Sequence, residues 1–224
     1  MPAPANPRHD DEPPANPRRD HGPPANPITH VREVTPARWP DFEALFESRG
    51  GPKSCWCMFF RRDEFGRTPR AKENRRRAMA AKIQGGTRVG LLAYDATDEP
   101  VAWCSVAPRE TLVNHGGLEP PDEDPATVWS ITCFHVKSGL RRRGVMRRLI
   151  EEAVAHARRN GAKVVEAYPV DPDSPSYLFC GWVPVFEALG FVEVGRAGLR
   201  RHVMRRALPP ASSPLPDPPR SPRP

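Results

Sequence analysis

The run from Phe134 to Ile150, Phe-His-Val-Lys-Ser-Gly-Leu-Arg-Arg-Arg-Gly-Val-Met-Arg-Arg-Leu-Ile, closes an apolar segment, adds basic residues and places Gly144 at the start of a helical pattern. That order suits an anion. Unpaired N–H groups at a helix start point outward, the helix dipole favours negative charge there, and a glycine lets a phosphate approach the backbone. Arg141, Arg142, Arg143, Arg147 and Arg148 add positive charge. Arginines by themselves would as readily make a solvated basic face. Their position between a strand end and an amphipathic helix, with Gly144 three residues after Arg141, reads as a phosphate cradle.

The cradle needs a strand before it and a buried helix after it. Residues 128–136 alternate as a strand, and Met146, Leu149, Ile150, Ala153, Val154 and Ala157 recur at the spacing of one helix face until Asn160-Gly161. The apolar run 163–168 is a buried strand, so 128–168 forms a strand, helix, strand unit with a parallel crossover. Upstream, 28–34 reads as a strand, Thr35-Pro36 opens a helix to about residue 48, and Thr68-Pro69 opens a second helix to about Gln84. Strands over 88–94 and 101–107 form an antiparallel meander with 128–136. A short helix over 184–189 and strands over 191–194 and 200–205 complete the fold. The polar loop 108–127, holding Asn114-His115-Gly116-Gly117, is long enough to expect a functional role.

Composition trims the chain of 224 residues to one domain. Of 30 prolines, nine precede residue 28 and eight follow Leu208. Pro-Ala-Asn-Pro occurs at 4–7, 14–17 and 24–27. Such segments have little apolar surface to bury, so 1–27 and 209–224 are expected to be disordered arms around a folded domain over 28–208. The net charge of +7 belongs to that domain, because the arms nearly cancel; it suits an anionic partner. No apolar run approaches the roughly 20 residues of a membrane span. Neither a leader nor a membrane partner is expected, and the chain is placed in the cytoplasm. Five scattered cysteines fit free thiols better than a disulfide framework. Cys55 and Cys57 lack the second ligand pair that a closed zinc site needs, so no metal is expected.

Arg141-Arg-Arg-Gly144-Val-Met146 resembles the coenzyme A loop of the GCN5-related N-acetyltransferase (GNAT) superfamily, Arg/Gln-x-x-Gly-x-Gly/Ala, including the spacing from Val136 to Arg141. Phe186-Glu-Ala-Leu-Gly-Phe191 is similar to that family's Tyr-Glu-Lys-Leu-Gly-Phe element. The resemblance covers about residues 28–208. It implies a mixed α/β fold, a mostly antiparallel central sheet flanked by helices, with acetyl-CoA as acyl donor. It further implies that the backbone of Phe134, His135 and Val136 pairs with the pantetheine arm. Amides of Arg142, Arg143, Gly144, Val145 and Met146 would hold the pyrophosphate, assisted by Arg141. Met146 departs from the family's small residue, which leaves less room near the phosphate.

The family commonly places a Glu base where this chain has Ser130 and a Tyr acid where it has Phe186. Ser130, through a water, and Tyr177 are the candidate catalytic residues, with Cys180, Glu166 and Glu110 as further candidates. Glu166 and Glu110 would otherwise make surface salt bridges. Cys133 and Cys180 raise an acyl-cysteine intermediate, although neither is paired with a base in the sequence. The acceptor implied is a primary amine, on a small molecule or a protein, reached across the loop after Pro108 and the segment around Trp56. A noncatalytic acyl-CoA sensor is the alternative. Nucleic acid is not expected, because no aromatics interleave the basic stretch. Oligomeric state stays open, a homodimer being one option.

Overall fold

The computed structural model describes residues 25–113 and 127–209. The Asn114 to Gly117 stretch of the long loop, the first two Pro-Ala-Asn-Pro copies and most of the C-terminal arm lie outside the described residues.

Burial on both sides of the strands dictates a layered architecture. In β2 (Leu91–Tyr94) all four residues are buried, Leu91 and Ala93 in one core cluster and Leu92 and Tyr94 in another. A sheet apolar on both faces must be covered on both. Helices α1 (Trp39–Glu47) and α2 (Lys72–Gln84) cover one face, bringing Phe42, Phe46, Met79 and Ile83 against Leu92 and Trp103. Helices α3 (Val145–Arg159) and α4 (Val183–Glu187) cover the other, bringing Leu149, Ile150, Ala153 and Phe186 against Cys104, Ile131 and Val165.

The sheet has seven strands in the order β1 (His30–Glu33), β2, β3 (Pro100–Pro108), β4 (Val128–Val136), β5 (Val164–Ala167), β7 (Arg201–Ala207), β6 (Val192–Ala197). All neighbours are antiparallel except β4 and β5. The fold is therefore the mixed, mostly antiparallel α/β arrangement expected. The second helix starts later than Thr68-Pro69 suggested, at Lys72. Arg75 explains this: its Nε donates to Pro69 O at 3.0 Å and its Nη1 to Ser54 O at 2.6 Å, which pins the preceding segment outside the helix.

Two local breaks create an opening in the sheet. Ser105 pairs with Cys133 but Val106 with Ile131, leaving Thr132 as a bulge residue of β4. The β4–β5 pairing stops at Ile131 and Ala167, and Pro169 has no N–H with which to extend it. From Thr132 to Val136, β4 keeps a strand neighbour only on the β3 side.

Candidate functional site

The opened stretch of β4 leads directly into the arginine loop. After a 3-10 turn over Ser138–Leu140, Arg142 (φ 60°) and Gly144 (φ 73°) both adopt left-handed backbone around Arg143. Glycine accepts that conformation readily, whereas arginine does not, so Arg142 holds strain of the kind that gathers at ligand-binding loops. Gly144 is the N-cap of α3, and its carbonyl accepts the first helical bond from Arg148 N at 3.1 Å. The backbone N–H groups of Arg142, Arg143, Gly144, Val145 and Met146 donate to no backbone acceptor among the described residues. A concave run of unspent donors at a helix start fits an anionic group.

The five arginines divide by what they touch. Arg147 pairs with Glu151 at 3.2 Å and Arg148 with Glu152 at 2.7 Å, one helical turn on. Arg141 turns back, its Nε donating to Val136 O at 3.2 Å. Arg143 Nη2 donates to Ala25 O at 3.1 Å, and Asn26 Nδ2 to Gly144 O at 3.3 Å. Ala25 and Asn26 of the third Pro-Ala-Asn-Pro copy thus lie against the loop. Exposed Arg142 makes no hydrogen bond or ion pair among the described residues. Met146 is half-buried and packs against the core, its Sδ beside Gly181. The crowding expected from its size is directed inward.

Along the opened strand, Phe134 is buried against Phe186, while His135 and Val136 are half-buried. Burial, and then the charges of Arg141 and Lys137, hold the His135 pKa down to about 4, so the ring is neutral at pH 7.

A buried polar cluster occupies the neighbouring part of the sheet. Ser130 of β4 pairs across to Glu166 of β5, which pairs across to Arg205 of β7. Ser130 and Glu166 are fully buried. Arg205 Nε donates to Glu166 Oε2 at 2.7 Å, Arg109 Nε lies 3.6 Å from Oε1, and the Tyr168 hydroxyl donates to Oε1. Burial, and next the Glu166 charge, raise the Tyr168 pKa far above the phenol range, which keeps that proton in place. Glu166 therefore holds no surface salt bridge, contrary to expectation; it is the acidic centre of an internal network. Glu110 is exposed. Sequence reasoning missed Tyr168, Arg109 and Arg205, and the one available signal was an acid inside the apolar run 163–168.

Tyr177 lies elsewhere, at the edge of the opening. It precedes the 3-10 turn Leu178–Cys180 in left-handed backbone (φ 62°), near Phe59 and Phe179 at ring-centroid distances of 6.3 and 6.1 Å. The Arg201 guanidinium is 5.0 Å from its ring centroid. Phe59 is 54% exposed, whereas Trp56, expected beside the acceptor, is buried among Trp39, Phe42 and Phe46. In the segment around Trp56 it is Phe59 that presents surface, with half-buried Tyr177 near it.

The sheet thus opens between parallel β4 and β5 and leads into a donor-rich helix start beyond the end of β4. Residues 35–191 match the Acetyltransferase (GNAT) family, and the chain belongs to it. Membership implies acyl transfer from acyl-coenzyme A to an amine acceptor. Solved structures similar to the chain include a GCN5-related N-acetyltransferase from Kribbella flavida, at 20% identity over 80% of this chain and 97% of that one (TM-score 0.49). The GNAT domain of S. lividans PAT is 22% identical over 80% and 89% (TM-score 0.49). The ribosomal-protein-alanine N-acetyltransferase from Brucella melitensis is 19% identical over 80% and 99% (TM-score 0.46). No curated protein sequence matches the chain. Among the described residues no helix is long and apolar enough to cross a membrane, and no group of three or more His, Cys, Asp or Glu side chains could hold a metal ion.

Proposed function

We propose that the chain is an N-acetyltransferase that passes an acetyl group from acetyl-CoA directly to a primary amine, with both substrates bound together. The observation that carries this reading is the continuity of the β4 stretch left open on its β5 side, Thr132 to Val136, with unspent N–H groups from Arg142 to Met146. The backbone of Phe134, His135 and Val136 supplies an edge on which an extended amide-bearing arm adds like a strand. The loop amides, with Arg141 and Arg142, hold the pyrophosphate.

The acceptor amine enters from the side of Phe59 and Tyr177. Ser130 holds a water that relays the amine's proton, and Glu166 is the carboxylate that accepts it. Both side chains stand at one register position, and Glu166 carries the only carboxylate in the network. Tyr177 is the candidate donor to the departing thiolate. Alignment of the amine with the thioester supplies much of the rate. A positioned proton acceptor adds roughly 100- to 10,000-fold.

A second reading, a noncatalytic acyl-CoA sensor, draws on Phe186: it is fully buried and offers no hydroxyl at the position where the family commonly has Tyr. Release of coenzyme thiol in the presence of amines separates the two. A transferase releases thiol with at least one amine. A sensor is stabilised by acetyl-CoA and releases none.

A further inference from the structure

Arg109 is the first residue after β3, and its guanidinium is only partly satisfied. The side chain is 13% exposed, its Nη1 is buried without a hydrogen-bond partner, and its Nε stops 3.6 Å from Glu166 Oε1. Glu166 is already engaged. Its Oε2 accepts from Arg205 Nε at 2.7 Å and its Oε1 from the Tyr168 hydroxyl. Among the described residues no other carboxylate comes within ion-pair distance of Arg109. A buried guanidinium donor calls for an acceptor, and an anion satisfies it best.

The neighbours of Arg109 define what carries that anion. Glu166 is the carboxylate that accepts the acceptor amine's proton, and Arg109 lies beside it, so the amine and the anionic group recognised here stand close together in one molecule. An α-amino acid holds its amine and carboxylate on a single carbon. The 3-10 turn Arg109–Thr111 is tied to an aromatic segment, since Leu112 N donates to Arg109 O and Val113 N to Phe60 O, both at 3.0 Å. There Phe59, Tyr177 and Phe179 form a triangle of rings with centroids 5.8, 6.1 and 6.3 Å apart. Phe59 is exposed and the other two are half-buried. Such rings suit an aromatic side chain.

We propose that the acceptor is a free aromatic α-amino acid, with its carboxylate on Arg109 and its ring among Phe59, Tyr177 and Phe179. The proposal rests on the acyl-transfer reading and narrows it. The ammonium first releases one proton to solvent. Its nitrogen then attacks the thioester carbonyl carbon, the N–C bond forms and the C–S bond breaks. The second proton passes through the Ser130 water to Glu166, while the thiolate takes one from Tyr177, which regains it as Glu166 gives its own up. In sum one ammonium and one thioester give one amide, one thiol and one proton.

The test offers the full-length chain L-phenylalanine, phenylalaninamide and phenethylamine, which share the ring and the amine and differ at the carboxylate. With acetyl-CoA present, thiol release should show kcat/KM at least tenfold higher for phenylalanine than for either analogue, and Arg109→Gln should bring that ratio below about threefold, whatever it does to the absolute rate. Without acetyl-CoA, millimolar phenylalanine should raise the wild-type melting temperature more than phenethylamine does. Equal kcat/KM for the three, or a ratio that survives in Arg109→Gln, overturns the proposal and leaves acyl transfer standing; the wild-type ratio decides even where the variant does not fold. No thiol release from any of the three, with melting unmoved by phenylalanine, overturns it as well. Failure of the acyl-transfer reading shows separately, as a wild-type chain that acetyl-CoA does not stabilise, and takes the proposal with it.

Discussion

Ser130 on β4 and Glu166 on β5 stand opposite each other in the parallel pair, both fully buried, one register position before the two strands part. A carboxylate is thus present beside the opening, one strand away from where β4 alone would be searched for it. Arg109, Arg205 and Tyr168 hold it in place.

Glu166→Gln should therefore lower amine-dependent thiol release by roughly 100-fold or more, with acetyl-CoA affinity within about twofold of the wild type. Leaving Arg109 and Arg205 without their buried anion should also reduce stability by about 3 kcal/mol, seen in the urea midpoint. A rate equal to wild type would remove Glu166 from the proton path.

Reversal of Arg141 and Arg142 to Glu should weaken acetyl-CoA at least tenfold in calorimetric titration, because both charges belong to the loop whose backbone amides are unspent. Wild-type affinity should decline with added salt. The double variant keeping its affinity would move the pyrophosphate elsewhere.

Gly181 (φ 88°) supports the loop from below. A Cβ there would lie 2.9 Å from Phe186 Cε2, 3.3 Å from Met146 Sδ and 3.4 Å from Phe134 Cε2. Gly181→Ala should cost about 1–3 kcal/mol of stability, measured by thermal unfolding, and weaken acetyl-CoA through the displaced Met146. Unchanged stability would show that the contact yields.

Stability should depend on two histidines that fold neutral. His156 is 5% exposed against Trp129, with Glu33 3.8 Å from its Nε2 and Asn160 beside it. Burial first, then Arg88 and Arg159, hold its pKa near 4, as burial holds that of His135. A depressed folded-state value means that the unfolded chain binds more protons below its own pKa near 6.5. The contribution is complete above pH 6.5 and is lost as pH falls towards 4. The urea midpoint should be lower at pH 5 than at pH 7, and His156→Gln should narrow the gap; a gap of the same width in that variant would place the effect elsewhere.

What the sequence made legible was chain-local. Strand alternation before Val136, the Arg141 to Gly144 spacing and the apolar face of α3 lie in one stretch, and so the cradle could be read directly. The polar cluster could not, because Arg109, Ser130, Glu166, Tyr168 and Arg205 come from separate segments and meet only through strand register. Nor could the sequence show that Trp56 is buried while Phe59 of the same segment is exposed, because composition does not reveal the left-handed backbone at Trp56 (φ 49°) and Cys57 (φ 51°).

The central claim, that this chain holds acetyl-CoA on the Arg141 to Met146 loop and passes its acetyl group to an amine, is tested most directly by thermal unfolding with and without acetyl-CoA, paired with thiol release across a panel of primary amines. The account predicts stabilisation by acetyl-CoA, abolished by reversing Arg141 and Arg142, and thiol release that requires an amine. No stabilisation of the wild-type chain by acetyl-CoA would contradict it.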